Sequence, residues 1–326
     1  MRTITFRDAI NEALDEEMAR DKNTIFIGED VGFYGSVWQI TKGLYDKYGK
    51  ERLRDTPITE STIIGTALGA AAGGLRPIAE IMFCDFMTCA MDQIVNQTAK
   101  IRYMFGGQVK VPVTIITTIG AGLSAGAQHS QSNEAYFMHT PGLKIVVPST
   151  PYDAKGLLKS AIRDDNPVIF YEHKLFFSRK GEVPEEEYTI PFGIADIKRS
   201  GKDITVVATL EMVHKSLEAA KILEKEGIDI EILDLRTLIP LDRNAILESV
   251  KKTKHLVIAM EEVKTCGVAA EIASIAAEDA FYDLKAPVAR VCAKDFPIPF
   301  NPKLEKYIIP QVEDIVNAIK KSLKQG

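Results

Sequence analysis

An α/β fold, with largely parallel sheet covered by helices on both faces, is what this sequence predicts, and three observations carry the prediction. Short runs dense in β-branched residues, such as Val113-Thr114-Ile115-Ile116-Thr117-Thr118, alternate with stretches whose apolar residues recur at helical spacing. Carboxylates, glycines and aromatics collect just after the strands, at the carboxyl ends where open α/β sheets keep their ligand sites. The alternation breaks once, over residues 177–202, where the chain turns charged and irregular around Pro184, Pro191 and the run Glu185-Glu186-Glu187. That break reads as a linker between a domain over residues 1–176 and a smaller one over 203–326.

The elements follow in order. Phe6, Ile10, Ala13, Leu14 and Met18 make an amphipathic helix over residues 6–20, and 24–28 is a short apolar strand ending in Gly28-Glu29-Asp30-Val31-Gly32. A polar helix is expected near 41–48. Pro57 then disfavours helix at Thr56, Thr59 is placed to cap, and Glu60 falls in the first turn of a helix crowded with glycine and alanine, from Gly65 to Gly74. Glycine costs about 1 kcal/mol against alanine inside a helix, so close approach by a ligand or a partner chain is the reason to look for there. A strand at 77–82 ends in Met82 and leads to Phe86, and a helix over 89–105 precedes the buried strand 111–118.

The loop Gly120-Ala121-Gly122-Leu123-Ser124-Ala125-Gly126-Ala127-Gln128-His129-Ser130 comes next. His129 stands there on a polar, glycine-rich segment that suits hydrogen bonding or proton transfer. The glycine spacing is one residue too long for a dinucleotide fingerprint, and the strand at 144–147 ends in Pro148-Ser149-Thr150 with no acid for a ribose. Nicotinamide binding is not expected. A helix over 152–163 and a strand at 167–172 complete the first series. Strands at 204–209, 228–233, 255–260 and 288–292 alternate with helices at 212–226, 242–252 and 267–280. A last helix follows, carrying the stripe Val312, Ile315, Val316, Ile319 and Leu323.

Composition narrows the function. The formal net charge of -5 offers no basic face for nucleic acid. Residues 1–8 lack the apolar core of a secretory signal, and no run is long and apolar enough for a membrane span, so a soluble, cytoplasmic protein is expected. Cys84, Cys89, Cys266 and Cys292 show no Cys-x-x-Cys spacing and suit free thiols in a reducing compartment. The histidines form no His-x-x-x-His pair, so a metal centre made by this chain's side chains alone is not expected.

Several separated motifs occur in an order that resembles the β chain of the thiamine-diphosphate-dependent decarboxylating component of 2-oxo acid dehydrogenase complexes, especially those for pyruvate and acetoin. They are Gly28-Glu29-Asp30-Val31, Asp55-Thr56-Pro57-Ile58-Thr59-Glu60, Gly74-Leu75-Arg76-Pro77, Met91-Asp92-Gln93, Ala127-Gln128-His129-Ser130-Gln131-Ser132 and Pro151-Tyr152-Asp153-Ala154-Lys155-Gly156-Leu157. The resemblance implies a pyrimidine-binding domain followed by a transketolase-type C-terminal domain. It implies that Glu60 hydrogen-bonds N1′ of the cofactor's aminopyrimidine, favouring the imino tautomer that removes the thiazolium C2 proton. Phe86 would stack on the pyrimidine, with Glu29 and Met82 close by, and His129 would serve the substrate-derived intermediate.

The family holds the diphosphate and Mg²⁺ with a Gly-Asp-Gly motif, and this sequence contains none. The resemblance therefore implies a partner α chain, two α and two β chains in the assembly, and a lipoyl acyltransferase core docked on the C-terminal domain. It also implies a potassium site at Val113, Ala161, Ile162, Asp164 and Asn166. Two other readings compete: a branched-chain 2-oxo acid dehydrogenase β subunit, and a non-catalytic α/β subunit that only binds a partner, against which the presence of Glu60 counts.

Overall fold

The computed structural model describes residues Met1–Gln325 and divides the chain into two compact units. Of the described residues, 1–119 and 136–192 form the first, and 120–135 and 193–325 the second. The family-type α/β architecture is present in both.

In the first unit β1 (Arg2–Thr5) leads into α1 (Phe6–Arg20), whose start is capped by the Thr5 hydroxyl accepting from the Asp8 amide. Then come β2 (Thr24–Gly28), α2 (Leu44–Tyr48), β3 (Leu53–Asp55), α3 (Glu60–Ala72) and β4 (Arg76–Phe83). After α4 (Ile101–Met104) follow β5 (Thr114–Ile119), α5 (Glu134–Met138), β6 (Lys144–Val146), α6 (Pro151–Arg163), β7 (Val168–His173) and β8 (Lys180–Val183). The unit's main strands lie in the order β6-β7-β5-β4-β2-β3, all parallel. Every residue of β2, β5 and β7 is buried, as parallel strands covered on both faces must be. Helix α1 lies against α6, where Arg163 clasps the buried Glu17 through Nε and Nη2 at 2.6–3.1 Å.

In the second unit β9 (Asp196–Arg199), β10 (Ile204–Ala208), β11 (Ile230–Asp234), β12 (Thr237–Ile239), β13 (Leu256–Val263) and β14 (Ala289–Ala293) are interleaved with α7 (Leu210–Glu224), α8 (Arg243–Thr253) and α9 (Val268–Asp279). Strands run β14-β13-β10-β11-β9, parallel except for the edge strand β9. The helices α10 (Pro302–Ile308) and α11 (Val312–Gln325) close the unit, with Ile315 and Ile319 of α11 in a core that includes Val206, Ile232 and Val257.

Several elements differ from the expected ones. The segment 177–202 is not wholly irregular: β8 pairs antiparallel with β1, and β9 with β11. The single helix expected over 89–105 is three pieces, a 3₁₀ stretch Cys84–Ala90, a π stretch Asp92–Thr98 and α4. The wide turn shows in the Ala99 amide, which reaches back to the Ile94 carbonyl. The helix expected from 41 starts only at Leu44, because Gly43 is left-handed at φ 80°. Thr59 does stand at the N-cap of α3, but its hydroxyl bonds to that of Thr62 at 2.8 Å and leaves the helix amides alone.

Candidate functional site

Three adjacent strands of the first unit deliver the residues of interest. Glu29 directly follows β2, Glu60 opens α3 just beyond β3, and Met82 lies near the end of β4 with Phe86 in the 3₁₀ turn after it. Because β3 and β4 flank β2 in register, these carboxyl ends lie side by side. The Thr56 amide bonds the Gly28 carbonyl at 2.9 Å, and Asp55 Oδ1 accepts from the Gly32 amide at 2.6 Å, so the segment before Glu60 is tied to the loop that carries Glu29. Both carboxylates are half-buried. Burial raises the Glu29 pKa above the ordinary carboxylate range, and the negative charges of Glu60 and Asp30 add to it.

Aromatic packing sets the position of Phe86. Its ring meets Phe83 edge to face at 6.1 Å, Phe83 meets Trp38 likewise at 5.8 Å, and Trp38 stacks on Phe177 at 4.7 Å. Trp38 Nε1 also points at the Met82 carbonyl at 3.5 Å. Trp38 belongs to the loop after Glu29, and that loop is held under strain: Asp30, Ser36 and Gln39 have φ of 53°, 69° and 61°.

What holds it is a residue the sequence reading passed over. Glu80 of β4 is buried and accepts from Ser36 Oγ at 2.8 Å, while the Trp38 amide donates to the same hydroxyl. Burial lifts the Glu80 carboxyl to about 8, opposed by the Ser36 bond and reinforced by the charge of Glu29. Glu172 of β7 is fully buried too, with neither carboxylate oxygen hydrogen-bonded among the described residues. Burial, and then Glu80, push its pKa well up. A glutamate inside the apolar run Pro77-Ile78-Ala79-Glu80-Ile81-Met82 was the available signal.

His129 belongs to the second unit, since the loop that leaves β5 clusters with residues 193–325. It is half-buried, and its amide bonds the Gly126 carbonyl at 3.3 Å. Where the loop enters α5, Glu134 is buried and its carboxyl is raised to about 8 by burial and by the nearby Glu262 and Glu261.

Of the five residues expected around a potassium ion, Ala161 and Ile162 lie in the last turn of α6, Asp164 and Asn166 follow it, and Val113 directly precedes β5. Arg76 Nη1 donates to the carbonyls of Ile162 and Asp164, both at 2.8 Å. The Val113 carbonyl accepts from Val168, and that of Ala161 from Asp164. The Asp164 carboxylate pairs with Lys144 and accepts from the Asn166 amide and side chain. A guanidinium therefore already serves two of the expected carbonyls, each of which keeps a second lone pair. Among the described residues no three His, Cys, Asp or Glu side chains form a metal-holding group, and no helix is long and apolar enough to cross a membrane.

Comparison with known proteins gives two matches that together cover most of the chain. Residues 2–178 match the family described as "Transketolase, pyrimidine binding domain", and residues 193–315 match "Transketolase, C-terminal domain". The chain is 51% identical to the acetoin:2,6-dichlorophenolindophenol oxidoreductase β subunit of Cupriavidus necator, covering 100% of this chain and 99% of that one. It is 46% identical to the Bacillus subtilis 2-oxoisovalerate dehydrogenase β subunit, covering 98% of each. It is also 46% identical to a mitochondrial pyruvate dehydrogenase E1 β subunit of Oryza sativa, covering 98% of this chain and 86% of that one. Among solved structures, a split-gene transketolase described as an inactive β4 tetramer superposes with a TM-score of 0.82 at 26% identity, over 99% of both chains.

Proposed function

This chain belongs to the family of thiamine-diphosphate-dependent dehydrogenase β subunits built from these two transketolase-type domains, and we propose that it is the β subunit of an acetoin or pyruvate dehydrogenase. It acts with an α chain and passes the acyl group to a lipoyl acyltransferase. The acetoin relatives match at 49–51%, against 45–48% for the pyruvate relatives and 46% for the 2-oxoisovalerate relative.

The observation that carries the reading is the pair Glu29 and Glu60, side by side with Phe86 at the strand ends, in a chain without a Gly-Asp-Gly motif. These residues fit an aminopyrimidine: a carboxyl group to share a proton with its ring nitrogen and an aromatic side chain to lie against its face. When bound, thiamine diphosphate supplies the thiazolium carbon that adds to the substrate carbonyl. Glu60 holds a proton at the pyrimidine N1′, the switch on which the cofactor's own base depends. Glu29 adds negative charge beside it, Phe86 and Met82 fix the ring plane, and His129 exchanges a proton with the substrate side.

The diphosphate and its Mg²⁺ then fall to the α chain, in an assembly of two α and two β chains, with the C-terminal domain facing the acyltransferase. The split-gene transketolase, inactive as a β4 tetramer, is in keeping with a chain that folds and assembles but holds half a site. A potassium ion at Val113, Ala161, Ile162, Asp164 and Asn166 is supported by donor type, since backbone carbonyls are the ligands that ion takes. Four free cysteines suit a cytoplasmic setting.

Calorimetry tests the reading. Mg²⁺-thiamine diphosphate should bind the isolated chain weakly or not at all, and the α chain should create the site. By linkage the cofactor then tightens αβ association by the factor that association tightens cofactor binding. Tight, Mg²⁺-dependent binding to the isolated chain would show a diphosphate site here and end the two-chain reading.

A further inference from the structure

The loop over residues 120–135 is built from backbone conformations that leave its amides without regular partners. Gly120, Gly122, Ser124 and Gly126 have φ of 93°, 110°, 55° and 80°, so neither a helix nor a strand satisfies the N–H groups between them. Successive amides in such a turn form a concavity that attracts an anion. Here the anions are the chain's own, from much later in the sequence. Glu305 Oε1 accepts from the Gly122 amide at 2.8 Å, and Glu305 Oε2 accepts from the Ser124 amide at 3.0 Å and the Ser124 hydroxyl at 3.2 Å. Glu261 Oε1 accepts from the Ala121 amide at 2.6 Å.

The holder is itself fixed. Asn301 caps α10 by accepting from Lys303 and Leu304, Pro302 starts its first turn, and Glu305 is buried, 4% exposed. Phe300, just before that cap, lies 3.7 Å from where a Cβ on Gly126 would stand. A buried carboxylate is costly unless hydrogen-bonded, and Glu305 spends its acceptors on a loop that adds no strand to either sheet. That loop carries His129.

We propose that Glu305, through the amides of Gly122 and Ser124, is the positioning residue for His129. The α10 carboxylate holds the loop so that the imidazole meets the substrate side in one place, with Glu261 as the second hold on the Ala121 amide. The inference rests on the substrate role read for His129.

The test uses the enzyme assembled with its α chain and four variants: Glu305→Ala, Glu305→Gln, His129→Ala, and Glu305→Ala combined with His129→Ala. Overall turnover and C2-proton exchange of bound cofactor are measured separately. Glu305→Ala should lower kcat about tenfold to hundredfold, the cost of a misplacement of about 1 Å, with cofactor exchange unchanged. Glu305→Gln keeps one acceptor oxygen but turns the other position into an NH2 donor that cannot accept from the Gly122 or Ser124 amide, so it should fall between, and it carries the comparison if the alanine variant does not assemble. The combined variant should be no slower than His129→Ala alone, because the two act as one unit. Losses that multiply, equal slowing of C2 exchange, or full turnover in the Glu305 variants beside an impaired His129→Ala would overturn the positioning role alone. Full turnover in His129→Ala would overturn the reading of His129 and this inference with it.

Discussion

Replacing Glu80 by glutamine should change how stability depends on pH, and the structure says in which direction. The Glu80 carboxyl is raised from its ordinary 4.5 to about 8, chiefly by burial in β4. Folded chain therefore holds this proton more tightly than unfolded chain. The contribution to stability is whole below about pH 4.5 and is lost as pH rises through about 8. One pH unit inside that window is worth about 1.4 kcal/mol, so between about pH 5.5 and pH 7.5 wild type should lose about 3 kcal/mol relative to the glutamine variant.

The glutamine oxygen can still accept from Ser36 Oγ, now at 2.8 Å from the carboxylate, so the strained loop after Glu29 keeps its hold. Any fixed cost of the amide is the same at both pH values and drops out of the comparison; Glu172, raised chiefly by burial and only secondarily by Glu80, contributes nearly the same slope in both proteins. Thermal unfolding of wild type and Glu80→Gln in matched buffers should show the difference in melting temperature shift by roughly 6 to 12 °C across that range, in favour of the variant at high pH. A difference that stays constant with pH would mean that Glu80 is ionised in the fold, and the account of its burial would be wrong. Difference infrared spectroscopy at neutral pH gives an independent check, since the wild-type-minus-variant spectrum should carry one protonated carboxylic acid band, while those of Glu134 and Glu172 cancel.

Glu60→Gln should leave folding and assembly intact while slowing C2-proton exchange of bound thiamine diphosphate by about 10²-fold to 10⁴-fold; exchange at the wild-type rate would remove Glu60 from the mechanism. His129→Ala should impair turnover or reductive acylation of lipoyl groups with cofactor affinity preserved, and the reverse pattern, weak binding with normal chemistry, would contradict its assignment to the substrate side. Arg163→Ala strips the fork from Glu17, which is 1% exposed and keeps only Arg20 at 3.6 Å. It should cost about 3 kcal/mol in denaturant unfolding. Replacing both residues with apolar ones of similar volume should recover most of that, and no recovery would point to a lost hydrogen-bond network instead.

Much of the fold was legible because periodicity and turn chemistry agree. The helix over 6–20 and the strand over 24–28 were read to the residue, since their apolar patterns are flanked by clear stops. Strand β1 was not: Arg-Thr-Ile-Thr is too short and too polar to signal a strand, and its partner β8 lies some 175 residues later within a segment that reads as linker. Helix α10 was missed although Asn301-Pro302 is a capping and first-turn signal, because the prolines before it read as loop. Of the candidate site, the acids and Phe86 at the strand ends could be named from position, but the residues that steady them could not. Ser36 and Glu80 are 44 positions apart, and Gly122 and Glu305 are 183 apart, so only the folded chain brings them together.

On the two-chain reading proposed above, the glycines of α3 set folding and assembly against each other. Gly69 is exposed on that helix, and a Cβ there would meet nothing within 4 Å in this chain. For the chain by itself alanine would be the better residue, by about 1 kcal/mol. Thr62, Thr66, Gly69 and Gly73 lie together on the exposed face, a groove shallow enough for another backbone to lie close. Selection for the stability of the lone subunit would thus fill that groove methyl by methyl, improving the part while spoiling its fit in the whole. On that reading, thermostability screens run on this chain without its α partner would reward substitutions at Gly69 that the assembled enzyme would refuse.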